Sequence, residues 1–200
     1  VRLYDSSISG NGYKARLLLA LQNRPYERIA IDILRGESRT PEFLAVNPNG
    51  RIPVLVLDDG RILAESNAIL FFLAEKTPFL PDDPFARAMV LQWMFFEQYS
   101  HEPYIAVVRF WRAHLDMTPE REAALDEKMT QGYAALDTME TQLGAHDWFG
   151  NDAFSIADIA LYAYTHVANE GGYDLSSYGA IRAWFERIES APGYIPISQT

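Results

Sequence analysis

Asn47-Pro48-Asn49-Gly50-Arg51-Ile52-Pro53-Val54-Leu55, followed by Ala64-Glu65-Ser66-Asn67 at the head of an apolar helical run, is the stretch that decides how this chain is read. Gly50 permits a turn. A proline entering a strand donates no ladder hydrogen bond, so Pro53 marks an edge, a strand start or a cis bend. A cis bend at Ile52-Pro53 leaves the Ile52 N–H and C=O facing outward, to be satisfied by water or by an extended ligand backbone. Ser66 suits a helix N-cap. Its hydroxyl and the N–H groups of the first helical turn then form a carboxylate cradle, to which the helix dipole adds about 0.3–1 kcal/mol. Glu65 beside it is placed to hold an ammonium.

Working outward, residues 1–77 alternate strand and helix, and the remainder reads as helical. Leu3-Tyr4 forms a short strand, Tyr13–Gln22 carries Leu17, Leu18 and Leu21 on one helical face, and Arg28–Ile33 alternates as a second strand. A βαβ unit connects them. A helical turn around Pro41–Leu44 precedes Val54–Leu57 and Arg61–Leu63, which flank the hairpin turn Asp58-Asp59-Gly60, and Ser66–Lys76 closes the unit. This βαβ, hairpin, helix order is that of a thioredoxin-like domain. Thr77–Pro84 holds three prolines and reads as a stiff linker over 78–84. An all-helical domain over 85–200 follows, with helices expected at Phe85–Trp111, Pro119–Leu143, Ile156–Val167 and Tyr178–Ser190 and with Pro103 bending or interrupting the first. Thr118-Pro119-Glu120 and the Ser155-x-x-Asp158 capping box mark two helix starts, and Phe154 with Ile159 offers a hydrophobic staple. The fold class is therefore α/β plus all-α.

A ligand with a peptide amide, an α-carboxylate and an α-ammonium fits the partners around Pro53 and Glu65, and glutathione offers all three. On these residues the chain resembles the cytosolic glutathione transferase family over nearly its whole length. The resemblance implies that Ile52, Pro53, Glu65 and Ser66 bind the cysteinyl backbone and γ-glutamyl end of glutathione, and that Arg51 lies near its glycyl carboxylate. It also implies a homodimer and a pocket for an electrophile between the domains, along the first helix of the C-terminal domain. Phe96, Tyr99, Tyr104 and Arg109 are its candidate contacts, on a segment where Trp93, Phe96, Ser100, Tyr104, Val107 and Trp111 recur at helical spacing.

The catalytic question is what activates the thiol. Free, it titrates near about 8.5, so only a few per cent is thiolate at neutral pH. A depression of about two pH units needs about 2.7 kcal/mol, within reach of one aimed hydroxyl and a helix N-terminus. Ser9-Gly10-Asn11-Gly12-Tyr13-Lys14 sits between first strand and first helix, where those parts belong. Serine-type family members use a Ser or Thr near this point, and a bacterial, nu-like branch with Thr-Pro-Asn-Gly places an asparagine two residues on. Ser9 and Asn11 match these positions, with either as the dominant donor. Ser6 and Ser7 stand closer to the strand, Tyr4 comes about one residue too early for the tyrosine some classes use, and Lys14 and Arg16 serve either a carboxylate or the helix surface.

Composition bounds the alternatives. A formal charge of −10 with no Lys/Arg cluster argues against nucleic acid or anionic membrane as partner. The absence of cysteine excludes disulfides, thiolate metal sites and a protein thiol nucleophile, so the sulfur chemistry belongs to the ligand. The four histidines lack metal-ligand spacing, and no metal is expected. Val1–Asp5 reads as a strand rather than a signal peptide, and no apolar run nears the roughly 20 residues that span a bilayer. The expectation is a cytoplasmic detoxification enzyme that transfers glutathione to a small electrophile. The same site also suits a glutathione-dependent disulfide reductase or a cis-trans isomerase, the last without its Ser-Ser-Cys signature. A non-catalytic glutathione-binding or scaffold protein is the reading from outside the enzymes.

Overall fold

Strand β1 (Arg2–Asp5) opens the computed structural model, which describes residues 1–150 and 152–199. The chain forms two compact units, one of Val1–Glu75 with the tail from Ala191, the other of Lys76–Ser190. No helix among the described residues is long and apolar enough to cross a membrane.

In the first unit β1 pairs in parallel with β2 (Glu27–Ala30) and antiparallel with β3 (Val54–Val56), which pairs antiparallel with β4 (Ile62–Ala64), giving the order β2-β1-β3-β4. Helices α1 (Gly10–Leu21), α2 (Pro41–Val46) and α3 (Ser66–Ala74) complete a thioredoxin-like unit. Strand alternation divides the apolar residues. Val54 and Val56 pack on Phe43 of α2 with Tyr4, whose ring meets Phe43 edge-on at 6.1 Å, so Tyr4 is a packing residue. Leu3 and Leu55 are fully buried, as are Leu17 and Leu18 of α1 and Ile69 and Leu70 of α3. β2 ends at Ala30, earlier than the alternation to Ile33 suggests. Asp32 Oδ1 accepts from the N–H groups of Leu34 and Arg35 and turns the chain out of the ladder.

The second unit is helical: α4 (Pro84–Phe96), α5 (Glu102–His114), α6 (Pro119–Ala145), α7 (Ile156–Thr165) and α8 (Gly179–Glu189). The helix expected over Phe85–Trp111 is interrupted just before Pro103, as two helices joined by a wide π turn at Glu97–His101. Pro103 lies in the first turn of α5, where a missing N–H costs nothing, so of the two expectations it is the interruption that holds, with the proline starting the second helix. Every residue of α7 is buried, the signature of a helix surrounded by others. Its capping box forms, and Asp158 takes N–H donors from Phe149, Ser155 and the Trp184 indole at 2.9–3.0 Å. Phe154 stacks on Trp148 at 4.9 Å and meets Phe79 edge-on at 5.5 Å.

The tail beyond Ser190, counted with the helical domain on sequence, returns to α1 of the first unit. Tyr13 Oη donates to the Ile195 carbonyl at 2.7 Å, and Arg16 donates to the carbonyls of Ile197, at 3.1 Å, and Gln199. Arg16 is itself fully buried and paired with Asp5 at 2.8 Å.

Candidate functional site

α1 begins on a side-chain cap. Ser9, extended at φ −85°, accepts the Gly12 N–H on Oγ at 3.1 Å. Capping uses a hydroxyl lone pair and leaves the proton to donate. Gly12 also makes room: a Cβ there would lie 1.5 Å from Asp5 Oδ1, so glycine lets the helix start seat against the buried carboxylate at the end of β1. Burial pushes the Asp5 carboxyl pKa up, while Arg16 and Arg28, at 2.8 and 3.1 Å from Oδ2, oppose that rise.

The Ile52–Pro53 peptide is cis. Pro53 is buried, Ile52 half-buried and Arg51 exposed. The loop before it is tied internally, with Asn47 Nδ2 donating to the Arg51 carbonyl at 2.7 Å and Asn47 Oδ1 accepting from the Asn49 N–H at 3.1 Å. Because Val54 pairs with Ala64, the next step along this antiparallel register brings Pro53 opposite Glu65. The two halves of the opening motif are therefore neighbours at one end of the β3–β4 hairpin.

Glu65, not Ser66, is the N-cap of α3. It is exposed, adopts the left-handed φ of 69° and makes no side-chain cap bond. Ser66 is the first helical residue, and its hydroxyl is directed across the site, donating to Asn11 Oδ1 at 3.0 Å. The expected cap is displaced by one residue: Ser66 is already helical, and its proton has a partner on α1. Lys14 joins the same cluster: fully buried, it places Nζ 3.4 Å from Ser66 Oγ and 3.5 Å from Asn67 Oδ1. Ser9, Asn11, Glu65 and Ser66 thus meet where the starts of α1 and α3 approach. Lys14 and Asn67 are additions. Lys14 lies on a stretch of α1, Tyr13 to Leu19, whose residues are all buried, so its ammonium has no wet face. Ser6 is buried and Ser7 exposed.

In the second unit Phe96, Tyr99 and Tyr104 line a hollow of about 230 Å³, with Ser100, Gln131 and Thr138. Arg109 is not among them. It is buried, and its Nε donates to Glu170 at 2.7 Å, tying α5 to the turn at Ala168–Gly171.

A thioredoxin-like unit with a polar site at two helix starts, followed by a helical bundle, defines the two-part class of thioredoxin-fold proteins. Within it, the chain belongs to the glutathione S-transferase family: residues 8–76 match that family's N-terminal domain and residues 88–192 its C-terminal domain. A crystal structure of a glutathione S-transferase from Pseudomonas fluorescens is 54% identical, with a TM-score of 0.95 and 98% of each chain covered. Among curated relatives, the disulfide-bond oxidoreductase YfcG of Escherichia coli is 32% identical over 91% of this chain and 87% of that protein. Glutathione S-transferase F10 of Arabidopsis thaliana is 31% identical over 92% and 90%.

Proposed function

We propose that this chain is a glutathione transferase that binds glutathione at the Ile52–Pro53 bend and the start of α3, and activates its thiol at the start of α1. The observation that carries this reading is the junction of the two helix starts, where residues 55 positions apart in sequence meet at the 3.0 Å Ser66–Asn11 hydrogen bond. The donor set fits the tripeptide. Ile52 offers backbone groups to the cysteinyl unit, the N–H groups opening α3 suit the γ-glutamyl carboxylate, and exposed Glu65 suits its ammonium. Exposed Arg51 reaches for the glycyl carboxylate. Ser9 Oγ–H and the Asn11 amide are the donors to sulfur, stabilising the thiolate while its proton passes to water. The sulfur lone pair then forms a bond to an electrophilic carbon as the leaving group departs with its electron pair. Phe96, Tyr99 and Tyr104, around their shared hollow, are the proposed contacts for this second substrate.

A disulfide-bond reductase is the second reading. Asn11 and the 32% identity to a disulfide-bond oxidoreductase favour it, with the same thiolate attacking a disulfide sulfur. We further propose a homodimer in the cytoplasm, where glutathione is kept reduced. Phe85 and Phe95 of the second unit are large rings left 74% and 69% exposed, surface suited to burial against another copy.

The deciding experiment follows thiolate absorbance of bound glutathione against pH. A thiol pKa well below that of free glutathione is expected. It should rise by about one unit in Asn11→Ala or Ser9→Ala, whichever residue is the dominant donor. Turnover of electrophiles against disulfides then separates the two reactions. Saturable binding with an unshifted thiol would instead indicate a carrier or scaffold, and absence of binding would remove the glutathione reading altogether.

A further inference from the structure

The π turn at Glu97–His101 takes up one residue more than an α-helical turn, and such turns are frequent at functional sites. Phe96 and Tyr104 stand eight positions apart. Eight α-helical steps of about 100° would leave Tyr104 about 80° away from the face of Phe96, whereas with one residue taken up by the wide turn the steps amount to seven and end about 20° short of two full turns. Both rings therefore border the same hollow of about 230 Å³, together with Tyr99 and Ser100 of the turn itself. The turn is pinned at its ends. Glu97 and His101 are fully buried, while Gln98 and Tyr99 are exposed. The Thr165 hydroxyl on α7 gives its proton to the Leu161 carbonyl at 2.6 Å, so in its 2.8 Å contact with His101 it accepts, and His101 Nε2 carries the proton.

The facing wall, from α6, is made of small residues, Ala134, Ala135 and Thr138. Three rings on one side and methyl groups on the other suit a flat aromatic guest. The volume falls below the roughly 300 Å³ at which pockets begin to enclose drug-sized ligands, leaving room for one substituted ring. Among the described residues none that borders the hollow is charged, and the chain carries a formal −10, so nothing there favours an anion. Lys128, also on α6, donates to the Pro103 carbonyl at 3.1 Å with Nζ 5.5 Å from the Tyr104 and Trp111 ring centroids, and it does not border the hollow. The Ser100 hydroxyl and the Gln131 amide, which do, are able to donate to a neutral acceptor.

We propose that the π turn is the specificity element of the second-substrate site, shaping this hollow for a neutral, single-ring aromatic electrophile that carries a hydrogen-bond acceptor. The inference rests on the proposed use of the hollow by the second substrate.

The test is calorimetric titration with benzamide, a neutral single ring that leaves thiols alone, against benzoate and 9-anthracenecarboxamide, with glutathione titrated into the same preparations. Wild type should bind benzamide about tenfold more tightly than either of the others. Ala134→Leu fills the hollow from an exposed position on α6 and should weaken benzamide about tenfold with glutathione affinity unchanged. Deletion of Gln98 combined with Pro103→Ala, which restores the N–H that proline lacks, makes the joint a regular helix. Phe96 and Tyr104 keep their common face, but Tyr99 turns about 200° from Phe96 and leaves the hollow. This variant should lose the benzamide preference, and Pro103→Ala alone, which still holds the extra residue, should keep it. Unchanged benzamide binding in the deletion variant overturns the proposal. So does unchanged binding in Ala134→Leu, which decides the matter even where the deletion fails to fold. A wild-type protein that takes benzoate or the anthracene as tightly as benzamide refutes the substrate class. Wild type that binds glutathione but not benzamide overturns this inference and leaves the glutathione reading standing, whereas binding of benzamide without glutathione removes that reading and the electrophile role of the hollow with it.

Discussion

Asp158 shows how much one side chain can organise. Its two carboxylate oxygens accept from the Phe149, Ser155 and Trp184 N–H groups and the Ser155 hydroxyl, joining the start of α7 to α8 and to the loop before it. Asn at this position keeps the shape but turns an NH2 toward groups that themselves donate. Asp158→Asn should therefore cost about 2–4 kcal/mol, read as a lowered urea midpoint at unchanged slope; a loss under about 0.5 kcal/mol would contradict the network. The capping box was legible because its residues are neighbours in sequence, as were Ser9, Asn11 and Pro53, whose loop composition is a local signal. The Trp184 bond to Asp158 was not, since it joins positions 26 apart with no shared periodicity. Lys14 was illegible for the same reason: its partners lie 52 and 53 residues away, and a lone lysine in a helix reads as solvated. A serine before an apolar run ordinarily caps it, whereas Ser66 is already the first helical residue, and only the fold brings Asn11 within reach of its proton.

Among the elements, the strands and the longer helices follow the apolar period, and their ends depart from it wherever a polar side chain captures backbone N–H groups, as Asp32 does after β2. The π turn at Glu97–His101 has no sequence period of its own, so the helical pattern runs through it and Pro103 marks a bend or interruption without placing it. The tail was illegible for a different reason. It is held through its carbonyl oxygens, which every sequence possesses, and the groups that hold it belong to α1. Arg16 is the centre of that attachment, fully buried between Asp5 and the tail. Arg16→Met should leave the Asp5 carboxylate short of its partner, costing about 3–5 kcal/mol, and free the segment from Ile195 onward for limited proteolysis. Intact protection of that segment from protease in the variant would show that Arg16 does not hold it.

For the whole molecule, two buried groups pull acid stability in opposite directions. Burial pushes the Asp158 carboxyl up to about 7 despite its donors. The folded state then keeps a proton that the unfolded chain has lost, so this contribution is complete at low pH and fades as pH rises toward 7. Burial pushes the His166 imidazole down to about 4, its Nδ1–H donating to the Tyr162 carbonyl at 2.6 Å with the ring stacked on Tyr162 at 4.3 Å. Here the unfolded chain takes up the proton first, so the contribution is complete above about 6.5 and fades as pH falls toward 4. Between these limits the slopes offset each other. His166→Gln should expose the Asp158 slope: from pH 7 down to about pH 4.5 the variant gains about 1–2 kcal/mol relative to wild type in urea unfolding, and a constant difference would sink the assignment. The attachment of residues 195–199 to α1 also bears on synthesis. The helical unit, contiguous in the chain, has all its residues once Ser190 has been translated. The first unit, although most of it leaves the ribosome earlier, waits for residues made after that point. A chain ending before Ile195 thus keeps every residue of the bundle and lacks only the clasp on α1, so the unit whose synthesis begins first is the one completed last.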